Sequence, residues 1–427
     1  MMNSKLSLKK TNIPHSETYN KTDRSLLLLR DIAVCLVILT HVSAQWLDRA
    51  LQEEGLRLSA AHFCNILSFA GVSLFVMLSG SIYLSSGHRQ RSTSPRFMAG
   101  KALRFFLIYL FWKLFYFAED LLLNPVTDAD FSAAAIKDKF LLAMFRSNGK
   151  YHLWYLPMFC LLLLLVPLIY EGARQLKACA LYLSIFFAAA ILLPTAFLFE
   201  FPYKYLLMDF RNIFDLGHYL GYLGYFLLGH VLYELGKSRR RPLLSAKHLT
   251  VPLWIAAWAA TFIATSEETA RSLAAGVTDS SFATPFILNT FVLSSTLFFT
   301  FCRPKDGTTK GSPDPQAFVS PDSDSQVLGS QVFASQVLGS QVLGSQASGS
   351  FSSARGFGRK CLASLARSSF GIYLIHPFVL DLVQKAGLMA RLADPVVGIP
   401  LFWAVLLSVS WLLCALLRRV PVVRNLL

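Results

Sequence analysis

Arg30 and His41 enclose a ten-residue run, Asp31-Ile-Ala-Val-Cys-Leu-Val-Ile-Leu-Thr40, inside the first long apolar segment of the chain. Eleven positions at 100° per residue return almost to the starting face. Read as a helix, the segment places both residues on one face, about 16 Å apart along the axis. Ionisable groups at membrane depth are expensive and mark function by default. A neutral imidazole there can take a proton from a hydroxyl nucleophile, and the guanidinium on the same face can orient a second reactant. The Asp31 carboxylate beside Arg30 offers partial neutralisation.

Three further stretches join this pair. Lys101 and Arg104 lie three apart where the third apolar segment begins, on neighbouring helix positions. Cations so placed anchor a span, or grip phosphates. Lys150-Tyr-His152-Leu-Trp154-Tyr155-Leu-Pro157 opens the fourth segment with the aromatics favoured at a headgroup boundary, and His152 goes beyond that pattern. In Ser368-Ser-Phe-Gly-Ile-Tyr373-Leu-Ile-His376-Pro377, Pro377 releases the carbonyl of Tyr373. His376 lies nine residues from Arg367, roughly 13 Å into the membrane and level with His41. His218 and His230 read as packing or interfacial groups. Asn65, Ser79 and Gly80 suit close helix contact. Glu119 and Asp120 are expected in solvent at the far end of the third segment.

The elements that position these residues follow from composition. Of 427 residues, 54% are hydrophobic and only 15% charged, against about 25% charged in soluble domains. Apolar runs of spanning length recur, predicting an all-α polytopic membrane bundle. Strands of alternating polarity, which a β-barrel needs, do not dominate. Ten spans are expected, at 25–46, 63–84, 102–123, 153–170, 178–199, 213–235, 250–265, 282–302, 367–388 and 396–417. With both termini cytoplasmic, 27 Lys and Arg fall on the cytoplasmic side and ten on the other, the bias expected of a membrane protein. The polar, basic tail 1–24 lacks a signal-peptide core, so the first span is expected to stay. Topology and anionic lipid account for the net charge of +15, and no nucleic-acid partner is implied. None of the seven cysteines forms a CxxC; they read as buried apolar groups, with no metal site expected.

The membrane domain divides into 25–303 and 357–427. Between them, 304–356 is rich in Ser, Gly, Gln, Pro and Asp, with Ser-Gln-Val-Leu-Gly starting at Ser325, Ser335 and Ser340. Such a composition buries too little apolar surface to fold and predicts a disordered cytoplasmic loop. The stretch 124–152 is the largest loop on the opposite side, with a short helix expected near Ala133–Phe145.

Taken in order, Arg30-x10-His41, Gly71-Val-Ser-Leu-Phe-Val-Met-Leu-Ser79-Gly80, Lys101-x-x-Arg104, His152-Leu-Trp-Tyr-Leu-Pro157 and Ser369-Phe-Gly-Ile-Tyr-Leu-Ile-His376-Pro377 resemble the acyltransferase 3 family of integral-membrane O-acyltransferases. The likeness runs from about 24 to 417. Within the family it looks like the bacterial single-domain branch that acetylates surface glycans such as enterobacterial common antigen or lipopolysaccharide. The resemblance implies ten spans in the bacterial inner membrane, acetyl-CoA as cytosolic acyl donor, and a saccharide acceptor reached from the other side. It implies that His41 is the essential histidine and Arg30 its basic partner. Lys101 and Arg104 would match a donor-site pair that is commonly Arg-x-x-Arg; lysine keeps the charge but loses bidentate geometry. The long 304–356 tract departs from the family pattern. The fused hydrolase-like domain of some relatives is missing, which implies a chain that acts alone or hands on its product.

The expected function is therefore O-acetyl transfer, with His41 and Arg30 catalytic, Lys101 and Arg104 binding the donor, and His152, Tyr155 and His376 contacting the acceptor or supporting the site. Direct attack by the sugar hydroxyl and a covalent acetyl-histidine shuttle both remain open. The rival reading is a transporter or flippase of a lipid-linked saccharide with the histidines as proton relay.

Overall fold

A computed structural model describes residues 16–53, 55–85, 93–123, 133–146, 149–213, 218–237, 247–301, 355–388 and 394–420. Among them the regular structure is helical and no strand occurs. The helices are α1 (Ser16–Ser43), α2 (Leu47–Glu53), α3 (Leu56–Ser68), α4 (Ala70–Leu84), α5 (Pro95–Leu123), α6 (Ala133–Leu141), α7 (Tyr155–Ala173), α8 (Leu176–Phe186) and α9 (Leu193–Ala196). They continue as α10 (Lys204–Ile213), α11 (His218–Lys237), α12 (Lys247–Ala275), α13 (Leu288–Phe301), α14 (Arg355–Lys385) and α15 (Pro395–Leu417). Nearly all of the 304–356 tract and most of the 1–24 tail lie outside the described residues.

Among the described residues, six stretches are long and apolar enough to cross a membrane: Ser25–Ser43, Leu56–Leu84, Tyr155–Ala173, Lys177–Ala196, Leu249–Ala275 and Pro395–Leu417. Helices also occur at the other expected spans, but they are more polar or shorter. Three expected outlines change. The span predicted at 63–84 is two helices, α3 and α4, broken at Phe69, whose N–H bonds back to Ile66 at 3.4 Å. The span at 178–199 contains a π-helical turn, Phe187–Leu192, between α8 and α9. The span at 282–302 is helical only from Leu288.

Helix α1 is the hub. It packs against α3, α4, α14 and α15, and buries Leu29, Ala33, Val34, Ile38 and Val42. Helix α4 lies along α11 at a distance only glycine allows. A methyl group on Gly80 would sit 1.7 Å from the Phe226 carbonyl oxygen, and one on Gly229 2.0 Å from that of Met77. Small residues let membrane helices approach this closely. Across the bundle, Asn65 donates to Ser43 Oγ at 3.1 Å, as its place in the sequence suggests. The residues left outward on the spanning helices are large and apolar, among them Leu168, Leu181, Ile263 and Leu412, which suits lipid rather than water.

Helix α15 opens on Pro395, and Asp394 caps it by accepting from Val396 N–H at 2.8 Å. At that end of the bundle Gln384 bonds Gln45, Arg57 pairs with Asp394, and Thr278 bonds Asp48. At the opposite end Arg418 donates to the Arg367 carbonyl. Arg30 lies toward the second end and His41 toward the first.

Candidate active site

A cavity of about 740 Å³ opens between α1, α4, α5, α7 and α14, a size that suits a small organic ligand. Arg30 and His41 both line it, as their shared helix face predicts. Thr40, Ser79, His152, Trp154, Tyr155 and Ser369 supply most of the other polar groups, and Phe75, Phe105, Phe159 and Phe370 the apolar ones.

Helix α14 brings its histidine to α1. The His41 and His376 rings stack with centroids 5.1 Å apart and planes at 24°. His376 is fully buried and sits behind His41, not on the cavity wall. His152 joins from the start of α7, 5.5 Å from the His376 ring in an edge-to-face arrangement. The sequence reading puts His152 with the interfacial aromatics, apart from the two mid-membrane histidines. In the structure it is buried and all three imidazoles meet, because residues 151–154 fold as a turn that tucks the ring inward.

Hydrogen bonds orient this cluster. His376 Nδ1 lies 3.2 Å from the Ile372 carbonyl. A carbonyl only accepts, so that nitrogen carries a proton, and a neutral ring then holds its lone pair on Nε2. The ring also meets the Tyr373 carbonyl, the acceptor that Pro377 frees. Nε2 of His376 is buried without a hydrogen-bond partner among the described residues, and the buried His152 ring meets the Leu374 carbonyl. His41, half-buried, also meets the Tyr151 ring, tilted at 47° with centroids 4.7 Å apart. Among the described residues no hydrogen bond engages its nitrogens, so a lone pair faces whatever enters.

Residues outside the predicted set hold the cluster in place. The Tyr373 hydroxyl donates to the His152 carbonyl, and the Tyr116 hydroxyl to the Leu374 carbonyl at 2.7 Å. Lys150 pairs with Asp381, and its Nζ is 3.9 Å from Glu119. Contrary to the solvated position its place in the sequence predicts, Glu119 is buried, because α5 packs along α7 and turns that face toward Lys150, while Asp120 stays exposed. Acidic Asp381, five residues past His376 in a mostly apolar helix, was the available signal for this ionic cluster. Asp31 is buried and neither carboxylate oxygen finds a hydrogen-bond donor among the described residues.

Tyr155 lines the cavity and stacks on Phe159 at 5.8 Å and 9°. Lys101 and Arg104 do not line it. Lys101 Nζ sits over the Phe97 and Tyr83 rings, 4.8 and 5.4 Å from their centroids, and Arg104 is exposed. Phe105, next to Arg104, forms part of the cavity wall. His230, a packing group by its place in the sequence, bonds Ala173 and Ser85, and the side chain of His218 lies outside the described residues. Among the described residues no group of three or more His, Cys, Asp or Glu is arranged to hold a metal.

A family model described as an acyltransferase domain matches residues 23–309, more than half of the chain. The chain belongs to the acyltransferase 3 family. This membrane acyltransferase carries Arg30, His41, Lys101, Arg104, His152 and Tyr155 inside the matched region; His376 lies beyond its end. Comparison with curated proteins and with solved structures gave no match.

Proposed function

We propose that this acyltransferase moves an acetyl group from cytosolic acetyl-coenzyme A to a hydroxyl of a cell-surface polysaccharide or lipid-linked glycan, in the cytoplasmic membrane of a bacterium. The His41–His376 stack beside a cavity that also holds Arg30 carries the reading. It puts a base with a free lone pair at one end of a pocket and a fixed cation at the other. The loop charges favour ten spans with both termini cytoplasmic, which puts Lys101, Arg104 and Arg30 toward the donor side.

Lys101 and Arg104 hold the phosphates of the donor, and the pantetheine arm passes Phe105 and Arg30 to bring the thioester to His41. His41 takes the proton from the acceptor hydroxyl as its oxygen attacks the acetyl carbonyl. The tetrahedral intermediate collapses, the carbon–sulfur bond breaks, and the thiolate leaves with the proton from His41. His376 supports the His41 ring from behind. His152 and Tyr155 border the space left for the sugar.

The test uses the full chain in nanodiscs with acetyl-labelled coenzyme A and a panel of alkyl glycosides and lipid-linked glycans. Labelled ester on a glycan, lost in His41→Ala, supports the reading. Glycoside crossing a vesicle membrane without ester formation contradicts it and favours transport.

A further inference from the structure

The fourteen residues of α13 rise only about 21 Å, short of the ~30 Å hydrocarbon thickness. The non-helical segment 276–287 precedes it, and Ala283, Thr284 and Pro285 of that segment form part of the cavity wall. Irregular backbone at membrane depth survives only where protein satisfies it or where it borders a cavity. Here both conditions hold.

The satisfying groups come from a buried trio absent from the sequence reading. His62 of α3, with Glu268 and Ser272 of α12, is fully buried. His62 Nδ1 is 3.0 Å from Glu268 Oε2, and Nε2 is 3.1 Å from Ser272 Oγ. Each α12 partner also accepts from the segment: Glu268 Oε1 from Phe282 N–H at 2.7 Å, Ser272 Oγ from Asp279 N–H at 2.8 Å. Donors and acceptors balance when the Ser272 hydroxyl donates to Nε2 and Nδ1–H donates to the carboxylate. Asn289 then donates to the Phe282 carbonyl at 3.3 Å, and the Tyr225 hydroxyl to that of Pro285 at 2.5 Å. Phe282, Ala283 and Ile287 pack on Ile66 and Ala264.

The geometry points to segment 282–285 as a specificity wall for the acceptor, with His62, Glu268 and Ser272 as the positioning residues that clip it against the cavity. The acceptor is a polyhydroxylated, amphipathic saccharide, and Thr284 offers it a hydroxyl on that wall. This rests on the proposed acetyl transfer. The wall lies away from the Lys101 and Arg104 end, so disturbing it changes acceptor recognition and leaves donor recognition alone.

The test measures steady-state kinetics of the full chain in nanodiscs, with the alkyl glycoside best accepted in the panel above. Glu268→Gln loses charge-assisted bonds to Phe282 and His62, and its KM for the glycoside should rise about tenfold, with the KM for acetyl-coenzyme A unchanged. Thr284→Val should also raise the glycoside KM alone, and it decides the matter if Glu268→Gln does not fold. An unchanged glycoside KM, or a parallel rise for donor and acceptor, overturns the proposal. A wild-type chain inactive on every glycan contradicts the acetyl-transfer reading itself and removes the proposal with it; that failure is visible before any variant is made.

Discussion

The imidazole of His41 stacks on that of His376, 335 positions later in the chain, with ring centroids 5.1 Å apart. The contact joins the hub helix of the bundle to helix α14, which carries Pro377 within it. The Ile372 carbonyl fixes the tautomer of His376, so the ring behind His41 has a set orientation. Groups that orient a catalytic side chain matter nearly as much as the side chain itself.

His376→Ala should lower kcat, because it leaves His41 beside a void and free to turn. The fall should be smaller than that of His41→Ala, and the KM for acetyl-coenzyme A should stay the same. His376→Phe keeps the stacking surface and should recover part of the loss. Steady-state kinetics of the three variants checks this ordering.

The hydroxyl of Tyr373 donates to the His152 carbonyl. Tyr373→Phe removes one buried hydrogen bond and leaves the carbonyl the 3.4 Å bond from Tyr155 N–H, at a cost of about 0.5–1.5 kcal/mol. Thermal unfolding in detergent should show the loss. Transfer should fall as well, since His152 borders the cavity.

On the proposed donor site, Arg104→Ala removes a charged phosphate contact and should weaken coenzyme A binding about tenfold, with little effect on the transfer step proposed at His41. Lys101→Arg should keep or strengthen binding, because guanidinium restores bidentate geometry. Titration of coenzyme A against each variant reads this directly. An unchanged constant for Arg104→Ala removes the pair from the donor site.

Gly80→Leu should prevent correct packing of α4 on α11, because even a methyl group would meet the Phe226 carbonyl at 1.7 Å. Gly100→Ala, which meets nothing within 4 Å, should be tolerated. Yield and unfolding temperature of the detergent-solubilised proteins separate the two.

Much of this was legible in the sequence, for identifiable reasons. Arg30 and His41 share a face because both lie on one uninterrupted helix, where spacing alone determines direction. The level placement of His41 and His376 followed from counting residues to a basic boundary. Gly80 and Asn65 announced close packing because small and amide side chains are rare in lipid unless they meet another helix. What could not be read depends on contacts between distant elements. His62 met Glu268 only after α3 packed on α12, 206 residues apart. Glu119 seemed to belong to water until Lys150 and Asp381 were brought beside it. His152 turned inward because of a four-residue turn that hydrophobic periodicity does not report. The break at Phe69 and the π-helical turn at Phe187–Leu192 left no mark on an apolar stretch, since hydropathy records burial and not hydrogen-bond register.

The most direct measurement is the rate of acetyl transfer by His41→Ala beside its affinity for coenzyme A. The account predicts a loss of roughly 10²–10⁴-fold in rate, the scale of general-base catalysis, with coenzyme A affinity unchanged. Transfer by His41→Ala at the wild-type rate would contradict it.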